Sequence, residues 1–121
     1  MVTNAPADSA PTEGQSLELP LTTLESPARV VDYAALRKNV YLKDVNFDKK
    51  GRPICLYLVS NGHEPGPENA PYEWKVTHWT GQAWQTHTVC TSDHNYDMGS
   101  LYVRGNTWFV LAPTGEAAFP W

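Results

Sequence analysis

Short runs of alternating or wholly apolar residues recur from Tyr41 to Ala112, each ended by turn residues. That rhythm is the period of β-strands and leaves little room for helices. Tyr41-Leu-Lys-Asp-Val-Asn-Phe47 alternates as a half-buried strand, and Asp48-Lys-Lys-Gly51 supplies a turn with glycine where φ must be positive. Pro53 to Ser60 is nearly all apolar, which suits a strand covered on both faces. Trp74 to Thr80 and Ala83 to Cys90 flank the tight turn Thr80-Gly81-Gln82. Ser100 to Val103 and Thr107 to Ala112 form a further hairpin around Arg104-Gly105-Asn106. Two polar loops, Asn61 to Glu73 and Thr91 to Asp97, separate these hairpins. The expectation is an all-β chain of six strands.

The remainder of the chain offers less to bury. A length of 121 residues allows one domain, and 41% hydrophobic residues suffice for its core. Residues 1–16 are rich in Ala, Pro, Ser, Thr and acids, which predicts a disordered tail. Residues 17–40 read as a linker or edge segment. Ser16 to Leu24 alternates, but Pro20 removes a ladder donor and confines it to an edge. Val31, Ala34, Ala35 and Lys38 have helical spacing, so a turn or two of helix is expected at Val30 to Lys38. The two cysteines, Cys55 and Cys90, fall on strands with one strand between them. That places them about 10 Å apart, too far for a disulfide, and predicts two free thiols.

Charge and hydropathy exclude two partner classes. The net charge is -4, from 9 basic and 13 acidic residues, and the Lys and Arg residues are scattered. A nucleic-acid surface needs them clustered. No apolar run approaches the roughly 18 residues of a membrane span. The N-terminus lacks the basic-then-apolar order of a signal peptide, and the compartment stays open.

Four antiparallel strands in about fifty residues, followed at once by a new hairpin, match the period of a β-propeller blade. A small meander or sandwich of six strands fits the same spacing. In a four-stranded blade the 1–2 and 3–4 turns share one end. The 2–3 loop and the exit to the next strand share the other, so both polar loops open together.

Thr77-His-Trp-Thr-Gly-Gln-Ala-Trp84 carries the Gly-x-x-Trp half of the Asp-box Ser-x-Asp-x-Gly-x-x-Trp, with Thr77 in place of Ser and Trp79 in place of Asp. Further matches are Leu19-Pro-Leu-Thr, Val40 to Asp48, Gly51-Arg-Pro, Gly62 to Asn69, Thr91 to Asp97, Gly99 to Tyr102 and Ala112-Pro-Thr114. Over residues 17 to 121 the chain resembles the BNR-repeat, sialidase-like propellers, which have ulvan-lyase-like polysaccharide lyases among their relatives. The resemblance implies a partial propeller over 41–121, with one blade at 41–90 and the next hairpin at 99–112. Members hold more blades, so the chain is expected to be a fragment, inactive alone, or a unit that self-associates to complete a ring. The implied parent is carbohydrate-active, a polysaccharide lyase or hydrolase-like protein on anionic glycans. A non-catalytic glycan-binding or self-assembling module is the alternative.

His94 is the main candidate for chemistry, flanked by Asp93 and Asp97. A neighbouring carboxylate fixes an imidazole tautomer, and imidazole suits removal of the proton α to a uronate carboxylate. By the resemblance His94 matches a catalytic or subsite histidine, with His78 as a second. The Tyr and Arg that complete such sites lie on blades this chain does not contain. Asp93, Asn95, Tyr96 and His63 are candidate substrate contacts. The competing reading makes Asp93 to Asp97 a turn capped by its own Asp and Asn side chains. It likewise makes His63 a solvated loop residue and His78 a packing neighbour of Trp79 and Trp84. His87 has no companion in the sequence and reads as surface. The spacing of Asp93, His94 and Asp97 matches no common ligand pattern, so no metal is expected. No phosphate loop or nucleophile motif is present, and no cofactor is expected.

Overall fold

The structure, a computed structural model, describes residues 25, 29–64, 66–95 and 98–114. The expected tail 1–16, the alternating segment Ser16 to Leu24, and Tyr96 and Asp97 lie outside the described residues. The described chain is all-β. Its strands are β1 (Asn39–Phe47), β2 (Pro53–Ser60), β3 (Tyr72–Trp79), β4 (Trp84–Ser92), β5 (Ser100–Arg104) and β6 (Thr107–Leu111). β1 to β4 form one antiparallel sheet in chain order, and β5 and β6 form a second, two-stranded sheet. Both sheets are open.

Each strand lies where alternation placed it, within two residues. β3 begins at Tyr72 rather than Trp74, and β4 runs on to Ser92. The segment from Val30 to Lys38 differs from expectation. It forms tight turns, with Leu36 N–H bonded to Tyr33 O at 3.1 Å and Arg37 N–H to Ala34 O at 3.0 Å. Arg37 has φ +56°, a left-handed conformation that ends any right-handed helix there. The β1–β2 turn follows its sequence. Gly51 takes φ +77°, and the Asp48 carboxylate accepts from the Lys50 N–H at 2.8 Å and the Arg52 N–H at 3.0 Å. The Arg52 Nε–H adds a third bond at 2.7 Å. Burial pushes the Asp48 carboxyl upward, but these bonds outweigh it and hold it below the ordinary carboxylate range.

The strand register sorts the large sheet into two faces. Ile54, Leu56 and Leu58 of β2 share one face with Tyr72, Trp74 and Val76 of β3, and all six are buried. Cys55, Tyr57 and Val59 point to the other face. Cys90 pairs with Trp74 and so lies on the first face, away from Cys55; neither cysteine forms a disulfide. On the second face a row of hydroxyls crosses the sheet. Tyr33 meets Tyr57 at 2.8 Å, Tyr57 meets Thr77, and Thr77 meets Thr86 at 2.8 Å. Partnered hydroxyls of this kind are tolerated in a buried layer where an unpaired one is costly. Burial and the Tyr57 contact hold the Tyr33 phenol well above its ordinary range.

The β5–β6 hairpin covers the first face. Leu101 is 2% exposed and joins the core cluster, with Val103, Trp108 and Val110 packed against it. The sheets are also tied by side chains of β1. Asp44 Oδ2 accepts the Leu101 N–H at 2.8 Å, and Asn46 Nδ2 donates to the Leu101 carbonyl at 3.1 Å. A register shift between Leu42 and Asp44 makes this possible. The extra residue, Lys43, is the signature of a β-bulge. It leaves Leu42, Val45 and Phe47 together on the second face and turns Asp44 and Asn46 toward the hairpin.

Candidate functional site

Ser60, Tyr72 and Ser92 mark one end of the large sheet, since Tyr72 pairs with Ser92 and β2 ends beside the start of β3. Both polar loops leave from this end. In the longer one Pro67–Asn69 makes a 3-10 turn and the Ala70–Pro71 peptide is cis. The Tyr72 hydroxyl reaches the Glu64 and Gly66 carbonyls and anchors that loop to the core. Asn69 bonds Glu64, and this bond, more than nearby His63, lowers the Glu64 carboxyl below its ordinary range. His63 is exposed, with Nε2 3.6 Å from Glu64 Oε1. It stands in the loop as a solvated residue.

The shorter loop is built around His94. Its Nδ1 lies 2.6 Å from Asp93 Oδ1, and that bond lowers the Asp93 carboxyl below the ordinary range. With Nδ1–H donating to the carboxylate, Nε2 becomes the basic nitrogen. The Ser92 hydroxyl donates to the His94 carbonyl at 3.0 Å, which fixes the backbone of the same turn. The Lys43 ammonium donates to the Asn95 carbonyl at 3.2 Å and lies 5.9 Å from the centre of the Trp74 ring. Among the described residues of this loop, the Ser92 hydroxyl holds the backbone and the Asp93 carboxylate engages the His94 ring. Tyr96, the fourth candidate contact of this loop, lies outside the described residues.

His78 is not part of this cluster. It pairs with Gln85 beside the Thr80–Ala83 turn, six residues along β3 from Tyr72. At about 3.3 Å per residue that is some 20 Å from the loop end. The structure thus brings His94, Asp93 and Asn95 together and holds His78 at the opposite end of the sheet. There Trp79 and Trp84 meet edge to face at 5.4 Å and close the hairpin.

Two residues have neighbours that the sequence reading did not give them. Lys43 supplies a cation next to the His94 loop, and the only trace of it in sequence is the broken alternation Leu42-Lys43-Asp44. His87 has a companion after all. Its Nε2 is 3.3 Å from that of His78 across β3 and β4. No group of three His, Cys, Asp or Glu side chains suited to a metal is found among the described residues. No helix among them is long and apolar enough to cross a membrane. Comparison with protein-family models, curated proteins and solved structures finds no match to this chain.

Proposed function

We propose that the chain is a blade, with the first hairpin of the next, of a sialidase-like BNR-repeat propeller that acts on anionic carbohydrate. The loop end of the sheet would be its ligand face. The observation that carries the reading is the Asp93–His94 pair, 2.6 Å apart, beside the Lys43 ammonium. A base with a fixed tautomer and a nearby cation are what proton abstraction next to a uronate carboxylate requires. The face-to-face packing of the β5–β6 hairpin on the four-stranded meander supports the blade reading, because propeller blades stack in that way. Lyase chemistry belongs to the assembled protein on this account, and the chain alone binds without cleaving.

Calorimetric titration with an acidic oligouronate, alongside a neutral oligosaccharide of the same length, tests this. The acidic ligand is expected to bind, more weakly at high salt, and Lys43→Ala to reduce affinity about tenfold, or ~1.4 kcal/mol. His94→Ala is expected to weaken it as well. Equal affinity for the neutral sugar, or no loss in either folded variant, would contradict the reading.

A second reading, of a self-assembling module, is favoured by two apolar surfaces. On the second face of the large sheet Val40, Leu42, Val45 and Phe47 form one stripe, with Leu42 64% and Phe47 55% exposed. It borders a groove of about 480 Å³ lined by Val31, Tyr33, Cys55 and Tyr57. Tyr102, Phe109 and Leu111 are exposed on the second sheet, opposite the side that meets the core. Apolar patches on two different surfaces suit a head-to-tail contact between copies. Light scattering on a sizing column is expected to give a mass above the 13.5 kDa monomer. Leu42→Asp is expected to restore the monomer. A wild-type chain that stays monomeric at high concentration excludes this second reading.

A further inference from the structure

The far end of the sheet holds an arrangement that the carbohydrate reading does not use. His78 on β3 and His87 on β4 both point to the face covered by the hairpin, on adjacent antiparallel strands. Their Nε2 atoms are 3.3 Å apart, their ring centres 5.4 Å apart and their planes 13° from parallel. Rings in that relation meet nitrogen to nitrogen, not face over face. Trp108 of β6 stands edge-on to His78 at 4.8 Å and walls one side, while His87 is open to solvent.

We propose that His78 and His87 together bind one divalent transition-metal ion of the zinc or nickel type. Two imidazole nitrogens at about 2.0–2.1 Å from a tetrahedral ion lie roughly 3.3–3.4 Å from each other. The rigid strands already hold the two nitrogens at that separation, so no backbone movement is required. Rotation of each ring about its Cβ–Cγ bond swings the lone pairs from facing one another to a common point, and exposed His87 has room to do so. Imidazole is a suitable donor for ions of this class.

The surroundings fit. Gln85, across the strand pair from His78, hydrogen-bonds the His78 side chain, the kind of outer contact that orients a ligating ring. Burial, with smaller contributions from His87 and Arg52, lowers His78 below the ordinary histidine range, which favours the neutral, ligating form. The guanidinium of Arg52 is the cation nearest in effect, and its ion pair with Asp48 at 2.7 Å offsets that charge. With two protein donors, the remaining positions are open to water, as in a metal site that stays accessible.

Zinc titration of the folded chain, followed by calorimetry and by the NMR signals of the imidazole and indole rings, tests the site. One Zn²⁺ per chain is expected, shifting the rings of His78, His87 and Trp108 and leaving those of His63 and His94 unmoved. Binding should fall more than tenfold in His87→Ala, which alters only an exposed side chain and keeps the fold. His78→Ala should abolish it, and loss in the His87 variant alone suffices if the His78 variant does not fold. Zinc binding of undiminished strength in His87→Ala, or no saturable shift of the His78 and His87 rings near neutral pH, would overturn the proposal.

Discussion

Trp74→Ala is expected to destabilise the chain by about 3–5 kcal/mol, a large part of the 5–15 kcal/mol that holds an ordinary domain together. The indole is fully buried at the centre of the first face, paired across β2 with Leu58 and across β4 with Cys90. It is also where the loop into the second sheet closes down. A Cβ added to Gly99 would stand 2.7 Å from Trp74 Cη2 and 3.2 Å from the Leu111 carbonyl oxygen. Deletion of the ring therefore opens a cavity between the two sheets, not merely within one. Gly99→Ala is the converse perturbation and is expected to destabilise by overpacking, typically about 1–3 kcal/mol. The backbone of β6 blocks retreat on one side and the wedged indole on the other. Urea unfolding of both variants measures these losses. A Trp74→Ala chain within 1 kcal/mol of wild type would show that the two sheets do not share this core.

The second large effect concerns the join between sheets. Asp44→Ala is expected to cost about 1–3 kcal/mol, because it leaves the buried Leu101 N–H without its acceptor. Asp44→Asn retains an acceptor oxygen and should cost less. The two kinds of damage differ in location. Loss of Asp44 should speed amide exchange at Leu101 and through β5 and β6, while amides of β2 and β3 keep their protection. Uniform acceleration over all six strands, or none at Leu101, would mean that the carboxylate does not anchor the hairpin.

Much of this architecture is legible in sequence because strand period is a local property. Pro53 to Ser60 reads as a doubly covered strand, and its alternate residues are indeed buried by the hairpin on one side and the Tyr33 segment on the other. The turns at Gly51 and Gly105 are equally local, with φ values of +77° and +61°. Where the reading fell short, the missing information was register. Tyr41 to Phe47 alternates on paper, yet the bulge at Lys43 regroups Leu42 with Val45 and brings Asp44 and Asn46 to the hairpin. Within β1 only the adjacent polar pair Lys43-Asp44 hints at that slip.

The same limit hid the histidine pair. His87 lies diagonal to His78 because the Thr80–Ala83 turn sets Trp79 opposite Trp84 and so Val76 opposite His87, a register that the shift between Trp74 and Lys75, further along, does not alter. Helical spacing at Val31, Ala34, Ala35 and Lys38 misled for another reason. Four residues of period cannot outweigh Arg37 in a left-handed conformation and a segment that packs on the sheet through Tyr33. In the candidate site, the pairing of Asp93 with His94 is visible as sequence adjacency. The approach of Lys43 to Asn95 spans 52 residues and required the fold.

One end of the sheet is the proposed ligand face, and mapping amide shifts during titration with an acidic oligouronate tests that most directly. The expected result is perturbation confined to Gly62 to Glu64, Ser92 to Asn95 and Lys43, with the turns at Asp48–Gly51 and Thr80–Gln82 unmoved. Shifts clustered at those two turns, or none at saturating ligand, would contradict it.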